Sequence, residues 1–167
     1  MIQIRPAVAA DYQTICDIAY QTWPETYGSI LSKTQLDYML AAFYSVESIA
    51  KNVDSGNQHF LLALEDGKVL AFVSYEHFYQ QKPVTRIHKI YLLPESQGKG
   101  IGKLLVDWVA DLAIHEHSEK LSLNVNRYNK ALHFYQKLGF EITGEEDIVL
   151  EHGYLMKDFR MEKKLNP

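Results

Sequence analysis

The chain has 167 residues, of which 47% are hydrophobic and 23% are charged, and its formal net charge is −4. This length predicts one domain, residues 1–167, with room for a buried core, and the composition is that of a globular protein. An acidic balance without a basic stripe argues against a nucleic-acid-binding protein and is compatible with a cationic substrate.

Cysteine content and apolar runs bear on the compartment. A single cysteine, Cys16, cannot form an intrachain disulfide, so a reducing compartment is predicted. Residues 1–6 lack the apolar run of a secretory signal, and no stretch approaches the ~18 apolar residues of a membrane span. We therefore predict a cytoplasmic protein with no membrane partner, in which Cys16 is a small buried hydrophobe.

The first third of the chain predicts one strand followed by helices. Residues 2–5 alternate in polarity, which suits a short strand, and apolar residues at helical spacing predict a helix that begins near Asp11. Ser32 and Gln35 resemble a capping box in front of a second helix. A third, short helix is predicted to end near Gly56.

Strands follow in the middle of the chain. Residues 59–65 and 68–78 flank Asp66 and Gly67, a strong signal for a hairpin with a type I′ turn. Residues 86–93 predict a third long strand. A helix over residues 102–117 comes next, and its predicted apolar stripe consists of Ile101, Leu104, Leu105, Trp108, Val109 and Leu112.

The C-terminal third alternates strands and a helix. Residues 121–125 predict a strand parallel to the strand at 86–93, because a helix connects the two. A helix from Asn129 to Leu138 is predicted to be capped by Asn129. Residues 140–143 and 154–162 predict two closing strands, with an acidic run, Glu145-Glu146-Asp147, in the loop between them. The order of elements predicts a mixed α/β domain.

A glycine-rich segment, Gln97-Gly98-Lys99-Gly100-Ile101-Gly102-Lys103, connects a predicted strand to a predicted helix. Such a turn exposes unpaired backbone N–H groups at the positive end of the helix dipole, where they can bind an anion. Glycines allow close approach of a phosphate, and Lys99 and Lys103 add positive charge. We refer to residues 97–103 as the glycine loop.

Two common phosphate-binding motifs do not fit the glycine loop. A Walker A motif requires a glycine where Gln97 stands and a serine or threonine where Leu104 stands. The dinucleotide fingerprint that would begin at Gly98 requires a glycine where Lys103 stands. Neither a P-loop nor a Rossmann site is therefore predicted.

The loop resembles the Q/R-x-x-G-x-G/A pattern of the GNAT superfamily of N-acetyltransferases, with Gln97, Gly100 and Gly102 at the defining positions. Downstream, the stretch from Asn124 to Phe140 is similar to the N-x-x-A-x-x-F-Y-x-K-x-G-F signature of that family. The two motifs occur in the family's order, with a strand before them and an amphipathic helix between them.

The resemblance implies a single GNAT-like domain, an α/β fold whose mixed, mostly antiparallel central sheet contains a splayed parallel strand pair and is flanked by helices. It implies acetyl-CoA as co-substrate. Backbone N–H groups of Gly98, Lys99, Gly100, Ile101, Gly102 and Lys103 would bind the pyrophosphate. The backbone of Ile90 and Leu92 would pair with the pantetheine arm. Asn129 would touch the arm or simply cap its helix.

For the chemistry, the resemblance implies that Tyr135 delivers a proton to the leaving sulfur, although Tyr135 also lies on an apolar helical face and could be a core residue. His88 is the candidate base for the amine proton, with a structural histidine as the alternative. The backbone N–H groups of Ile90 and Leu92 are candidate oxyanion donors.

The acceptor cannot be identified from the motifs. A primary amine of a small molecule such as a polyamine is predicted, with a protein N-terminus or lysine as the alternative acceptor and a non-catalytic acyl-CoA-binding module as the alternative function. In this family the acceptor site is lined by the region where the first helix meets the next, and in this chain that region contains Tyr20, Trp23, Glu25 and Tyr27. No metal is predicted, since the histidines lack ligand spacing, and a homodimer is compatible with the family.

Overall fold

A computed structural model describes residues 1–166 of the chain. Seven strands and five α-helices are connected by short loops and single turns of 3-10 helix. In chain order they are β1 (Ile2–Pro6), α1 (Tyr12–Tyr27), α2 (Lys33–Phe43), α3 (Val46–Asp54), β2 (His59–Glu65), β3 (Lys68–Glu76), β4 (Val84–Leu92), α4 (Ile101–His115), β5 (Lys120–Asn126), α5 (Ala131–Lys137), β6 (Glu141–Val149) and β7 (Leu155–Lys164).

The strands form one seven-stranded sheet in the order β1-β2-β3-β4-β5-β7-β6. Pairing is antiparallel between β1 and β2, β2 and β3, β5 and β7, and β6 and β7, whereas β4 and β5 are parallel. The parallel register runs from Val84↔Lys120 to Ile87↔Leu123 and ends there, although both strands continue. The predicted mixed, mostly antiparallel fold with one parallel pair is confirmed.

The chain divides into two compact units. The first contains Met1–Glu76 and His88–Val109, and the second contains His77–Ile87 and the residues from Ala110 onward. Strand β4 and helix α4 therefore each contribute residues to both units. Within residues 1–166, no helix combines the length and the apolarity needed to cross a bilayer.

Local sequence signals account for most of the first unit. Ser32 accepts a hydrogen bond from the Gln35 backbone N–H at 3.1 Å, the N-cap expected from the capping-box pattern. Asp66 and Gly67 both have positive φ, 50° and 79°, as a type I′ turn requires. Cys16 is buried on α1, and burial raises the pKa of its thiol, which makes it a core residue and not a nucleophile.

Helix α4 buries a stripe that differs from the predicted one. The buried hydrophobic residues follow one another at intervals of four, one, three and four positions: Ile101, Leu105, Val106, Val109 and Ala113. Trp108 was predicted in this stripe, but it is 44% exposed. The prediction was wrong because hydrophobicity alone shows that a helix has an apolar stripe, but not which residues lie at its buried centre and which at its exposed edge.

Two further predictions in the second unit were wrong. The acidic run of Glu145, Glu146 and Asp147 lies within β6 and not in a loop, since it pairs with β7. Arg160 on β7 and Arg127, which directly follows β5, form ion pairs with its carboxylates. The helix expected from Asn129 begins only at Ala131, since the Asn129 Oδ1 accepts from the Ala131 backbone N–H at 2.9 Å in a local turn.

Candidate functional site

The glycine loop leads into α4 in the first unit, with residues 101–103 in the first turn of that helix, and has the geometry of an anion cradle. Gly98 and Gly100 have φ of 81° and 72°, and a Cβ placed on either would meet no atom within 4 Å. The first main-chain bond at the helix start runs from the Leu104 N–H to the Gly100 carbonyl, at 3.0 Å. The preceding amides are thus available to a ligand at the positive end of α4, which fits a pyrophosphate.

Beneath the loop, buried side chains fix its start and its end. Ser96 is fully buried and its hydroxyl donates to the Leu93 carbonyl at 2.6 Å, while Ile101 is buried at the first turn of α4. Gln97 itself is exposed and its backbone N–H donates to the Pro94 carbonyl at 3.2 Å. The loop is therefore anchored on both sides and open between them.

The two lysines of the loop are engaged with carboxylates. The Lys99 Nζ lies 2.6 Å from Glu65 Oε1, and the Lys103 Nζ lies 2.6 Å from Asp107 Oδ2. Both pairs are solvent-exposed, and exposed ion pairs contribute little free energy. The lysines can consequently leave their carboxylate partners for a phosphate with little loss of free energy. The backbone amides are the part of the cradle whose position is fixed.

Strand β4 leads into the loop and presents two different sides. Lys89 and Tyr91 both face aromatic rings of the first unit: the Lys89 Nζ lies 5.8 Å from the Tyr44 ring centroid, and the Tyr91 ring lies 6.3 Å from it. Successive strand residues point to opposite faces, so Ile90 and Leu92 point away from these rings. Both are partly exposed.

His88 is paired with a carboxylate that the motifs did not reveal. Its Nε2 lies 2.9 Å from Glu76 Oε1, and both side chains are about three-quarters buried. A carboxylate accepts only, so the Nε2 of a neutral His88 carries the proton and the lone pair is on Nδ1. Glu76 ends β3, the strand that neighbours β4 in the sheet. The pair is suited to hold an imidazole in one tautomer and to stabilise its protonated form.

An aromatic cluster lies beside this strand. Trp23, Tyr27 and Tyr44 are buried, and the Tyr27 and Tyr91 hydroxyls are 3.2 Å apart. Trp23 contacts the other three rings of the cluster, at centroid distances of 4.7 Å to Tyr27, 5.6 Å to Tyr44 and 6.0 Å to Tyr91. Of the residues predicted to wall an acceptor site, Trp23 and Tyr27 thus belong to this cluster, whereas Tyr20 is exposed.

Lys89 should make stability depend on pH. Its burial lowers the pKa of the ammonium from 10.5 to about 8, so between about pH 8 and 10.5 the unfolded chain binds more protons than the folded one. Stability then rises with pH in this window, by about 1 kcal/mol or somewhat more between about pH 8 and 9.5. Urea titrations should show the rise in the wild type and its loss in Lys89→Met. An unchanged slope in Lys89→Met would contradict this origin.

The second unit carries the other two predicted site residues. Tyr135 is 7% exposed on α5, and its ring packs edge-on to Phe140 at a centroid distance of 5.9 Å. The Asn129 side chain accepts from the Ala131 N–H in the turn before α5, whose N-cap is Lys130. The structure therefore groups His88, Ile90, Leu92 and the glycine loop in the first unit, and Asn129 and Tyr135 in the second.

Several polar residues that lie near others in the fold carry no sequence signal. Glu76 is twelve positions from His88, and Asp158 and Asn124 are buried or half-buried on β7 and β5. Their proximity depends on strand pairing, which no local motif encodes. Among residues 1–166, no three metal-ligating side chains converge on one point.

Comparison with known proteins agrees with the glycine loop and the fold. The model of the acetyltransferase (GNAT) family matches residues 12–140. Spermidine N(1)-acetyltransferase of Thermoplasma acidophilum is 26% identical over 160 residues, which cover 92% of this chain and 98% of that protein. Aminoalkylphosphonate N-acetyltransferase of Salmonella typhimurium is 29% identical over 140 residues, covering 78% and 88%.

Solved structures show the same similarity. The PaiA N-acetyltransferase of Thermoplasma acidophilum, in complex with coenzyme A, superposes with a TM-score of 0.83 at 25% identity and covers 98% of this chain and 99% of that one. A GCN5-related N-acetyltransferase from Rhodopseudomonas palustris has the same fold, with a TM-score of 0.82 at 20% identity. The chain therefore belongs to the GNAT family and is an acetyl-CoA-dependent N-acetyltransferase.

Proposed function

We propose that the enzyme acetylates a primary amine of a small molecule, and that the acceptor is a polyamine or a related diamine. The observation that carries the proposal is the 2.9 Å contact between His88 and Glu76 on adjacent strands, which equips the protein to accept a proton from an ammonium substrate. The substrate class is supported by the similarity to a spermidine N(1)-acetyltransferase.

Donor binding is assigned to the glycine loop and to β4. The amides of residues 98–103 bind the pyrophosphate, with Lys99 and Lys103 turning from their carboxylate partners, and the backbone of Ile90 and Leu92 pairs with the pantetheine arm. Gln97 lies at the exposed start of this loop, and Asn129 contacts the arm. The open space around Gly98 and Gly100 supports the fit. Acetyl-CoA supplies the activated thioester carbonyl.

Side chains of the protein then accept and donate the protons that the reaction transfers. A primary alkyl ammonium has a pKa of ~10.4 and cannot attack while protonated, so His88 takes one proton onto Nδ1 while Glu76 stabilises the resulting imidazolium. The N–H groups of Ile90 and Leu92 donate to the carbonyl oxygen as it gains charge. The C–N bond forms, the C–S bond breaks, and Tyr135 gives its phenolic proton to the sulfur. The second proton, which the acylated nitrogen loses, restores the Tyr135 phenol, so that the amide, the free thiol and protonated His88 remain.

An acceptor screen tests the substrate class. Release of free thiol from acetyl-CoA should be followed with spermidine, 1,4-diaminobutane, amino acids, and peptides with a free N-terminus or a lysine. We expect the polyamines to give the highest kcat/KM. Faster turnover of a peptide would instead assign a protein acetyltransferase. Cytoplasmic location and homodimer formation stay predictions that this screen does not test.

The pH dependence of turnover tests the base. Wild-type kcat/KM should rise with pH across the range in which histidines titrate, ~6.5 for an unperturbed side chain, and level off above it. In His88→Ala the rise should move toward the acceptor amine's own pKa, because only amine that is already neutral then reacts. Rates of both proteins should be measured with one acceptor over about pH 5.5–10.

Glu76→Gln is the matched variant for this measurement. It keeps the hydrogen-bonding shape beside His88 and removes the charge that favours the imidazolium, so the rising limb should shift to lower pH with a smaller loss of rate than in His88→Ala. Profiles that superimpose for the wild type and His88→Ala would show that another group or water takes the proton.

A further inference from the structure

Two ion pairs in the first unit join the hairpin of β2 and β3 to the glycine loop. Glu65 and Lys68 face one another in the β2–β3 register, on either side of the hairpin turn. The Lys99 Nζ lies 2.6 Å from Glu65 Oε1, and the Lys68 Nζ lies 2.8 Å from Glu95 Oε2. The tip of the hairpin therefore contacts one residue before the loop and one residue within it.

The two ion pairs differ in which side supplies the positive charge. In one pair the cation is Lys99, a loop residue to which we assign a contact with the pyrophosphate. In the other pair the cation is Lys68 of the hairpin, and Glu95 supplies the carboxylate. An ammonium group is drawn to a phosphate as it is to a carboxylate. A pyrophosphate on the loop therefore competes with Glu65 for Lys99, and it does not compete for Glu95.

The second loop lysine is engaged in a different way. Lys103 pairs with Asp107 four positions further along α4, a contact within one helix. Glu65 lies 34 positions from Lys99 in the chain and meets it only through the fold. The side chains of Lys99 and Glu65 are 43% and 31% exposed, against 64% and 46% for Lys103 and Asp107. Solvent therefore screens the pair of Lys99 with Glu65 less.

Glu65 is charged and its position does not depend on Lys99. The hydrogen bond from Lys99 lowers the pKa of the Glu65 carboxyl, which is ionised at neutral pH. The segment before the loop is tied to β3 by the main-chain bond from the Leu93 N–H to the Leu70 carbonyl, at 2.9 Å. Because this bond and the second ion pair hold the hairpin, the Glu65 carboxylate stays beside the loop after Lys99 turns to a phosphate.

We propose that Glu65 is a positioning residue that holds Lys99 away from the pyrophosphate site and thereby lowers the affinity of the enzyme for coenzyme A. The proposal rests on the proposed assignment of the pyrophosphate to the glycine loop, and it adds a residue outside the loop that weakens donor binding. Since acetyl-CoA and the product coenzyme A carry the same pyrophosphate, Glu65 weakens the binding of both.

Removal of the Glu65 charge should tighten binding of coenzyme A, a change that damage to the fold would not produce. Glu65→Gln should lower the Kd about two- to fivefold, the range for an exposed ion pair. In a Lys99→Met background the same substitution should change the Kd less than about 1.5-fold, because no lysine is released. Calorimetric titration with coenzyme A at about 0.15 M salt measures these values.

Glu95→Gln is the matched control, because it removes the same charge from the neighbouring ion pair and leaves Lys99 paired. Its Kd should stay within about 1.5-fold of the wild-type value. Unchanged or weaker binding in Glu65→Gln would overturn the proposal. So would equal tightening with and without Lys99, since Glu65 would then act through its charge alone.

A donor without phosphate groups separates this proposal from the proposed function. With one saturating acceptor, Glu65→Gln should raise kcat/KM for acetyl-CoA about two- to fivefold and leave the value for S-acetylpantetheine within about 1.5-fold. If Gly100→Val abolishes the preference for acetyl-CoA but Glu65→Gln alters neither value, the pyrophosphate site stands and Glu65 has no part in it. If Gly100→Val keeps the preference, the proposed pyrophosphate site fails, and the role of Glu65 fails with it.

Discussion

Tyr135→Phe should lower kcat by roughly ten- to a thousandfold, which overlaps the lower part of the ~10²–10⁴-fold contribution typical of a positioned general acid. The substitution removes one proton donor and keeps the ring that packs against Phe140. A phenol with a pKa near ~10 is protonated at neutral pH and can neutralise a departing thiolate, whereas phenylalanine cannot. Affinity for acetyl-CoA should be largely retained. Steady-state thiol release and titration with acetyl-CoA measure the two quantities separately.

A second buried tyrosine controls for the loss of a hydroxyl as such. Tyr12 on α1 is 8% exposed, nearly the same as Tyr135 at 7%, and it has no role in the proposed chemistry. Tyr12→Phe should leave kcat within about twofold of the wild type, since substitutions away from functional groups mostly alter stability and not turnover. Full activity of Tyr135→Phe with a well-used acceptor would make Tyr135 a core residue and assign the proton to another group.

Gly100→Val should abolish the rise in Tm that acetyl-CoA produces in the wild type. At a hundredfold excess over Kd, a ligand that binds only the folded state stabilises it by about 2.7 kcal/mol, or roughly 5–10 °C for a chain of this size. The Cβ and methyl groups of valine would occupy the open space beside Gly100, into which the phosphate must approach. Thermal melts with and without acetyl-CoA measure the effect.

The unliganded protein should also lose some stability in this variant. Gly100 has φ of 72°, and a β-branched residue in that conformation costs roughly 1–2 kcal/mol. Gly153→Val is the matched control, because Gly153 has φ of 74° and equally open surroundings but lies in the β6–β7 turn. Both variants should melt lower by similar amounts, and only Gly100→Val should lose the response to acetyl-CoA. A full response in folded Gly100→Val would overturn the assignment of the pyrophosphate.

Elements that depend on neighbours in sequence were predicted well. The Asp66-Gly67 turn, the Ser32 cap and the glycine loop each need specific backbone conformations within a few residues, and the residue types that tolerate those conformations are visible in the chain. The parallel pairing of β4 with β5 also follows from the helix between them. The family resemblance, carried by the same local motifs, is confirmed.

What the amino-acid sequence alone determined about this protein is therefore its family and fold, together with the position of the glycine loop to which we assign the pyrophosphate. Only the tertiary structure decided which groups surround the reacting ones. Glu76 beside His88 and the acidic run within β6 both arise from pairing between strands. Whether a side chain is buried and which hydrogen-bond partners it finds depend on residues distant in sequence, so a local motif does not predict them.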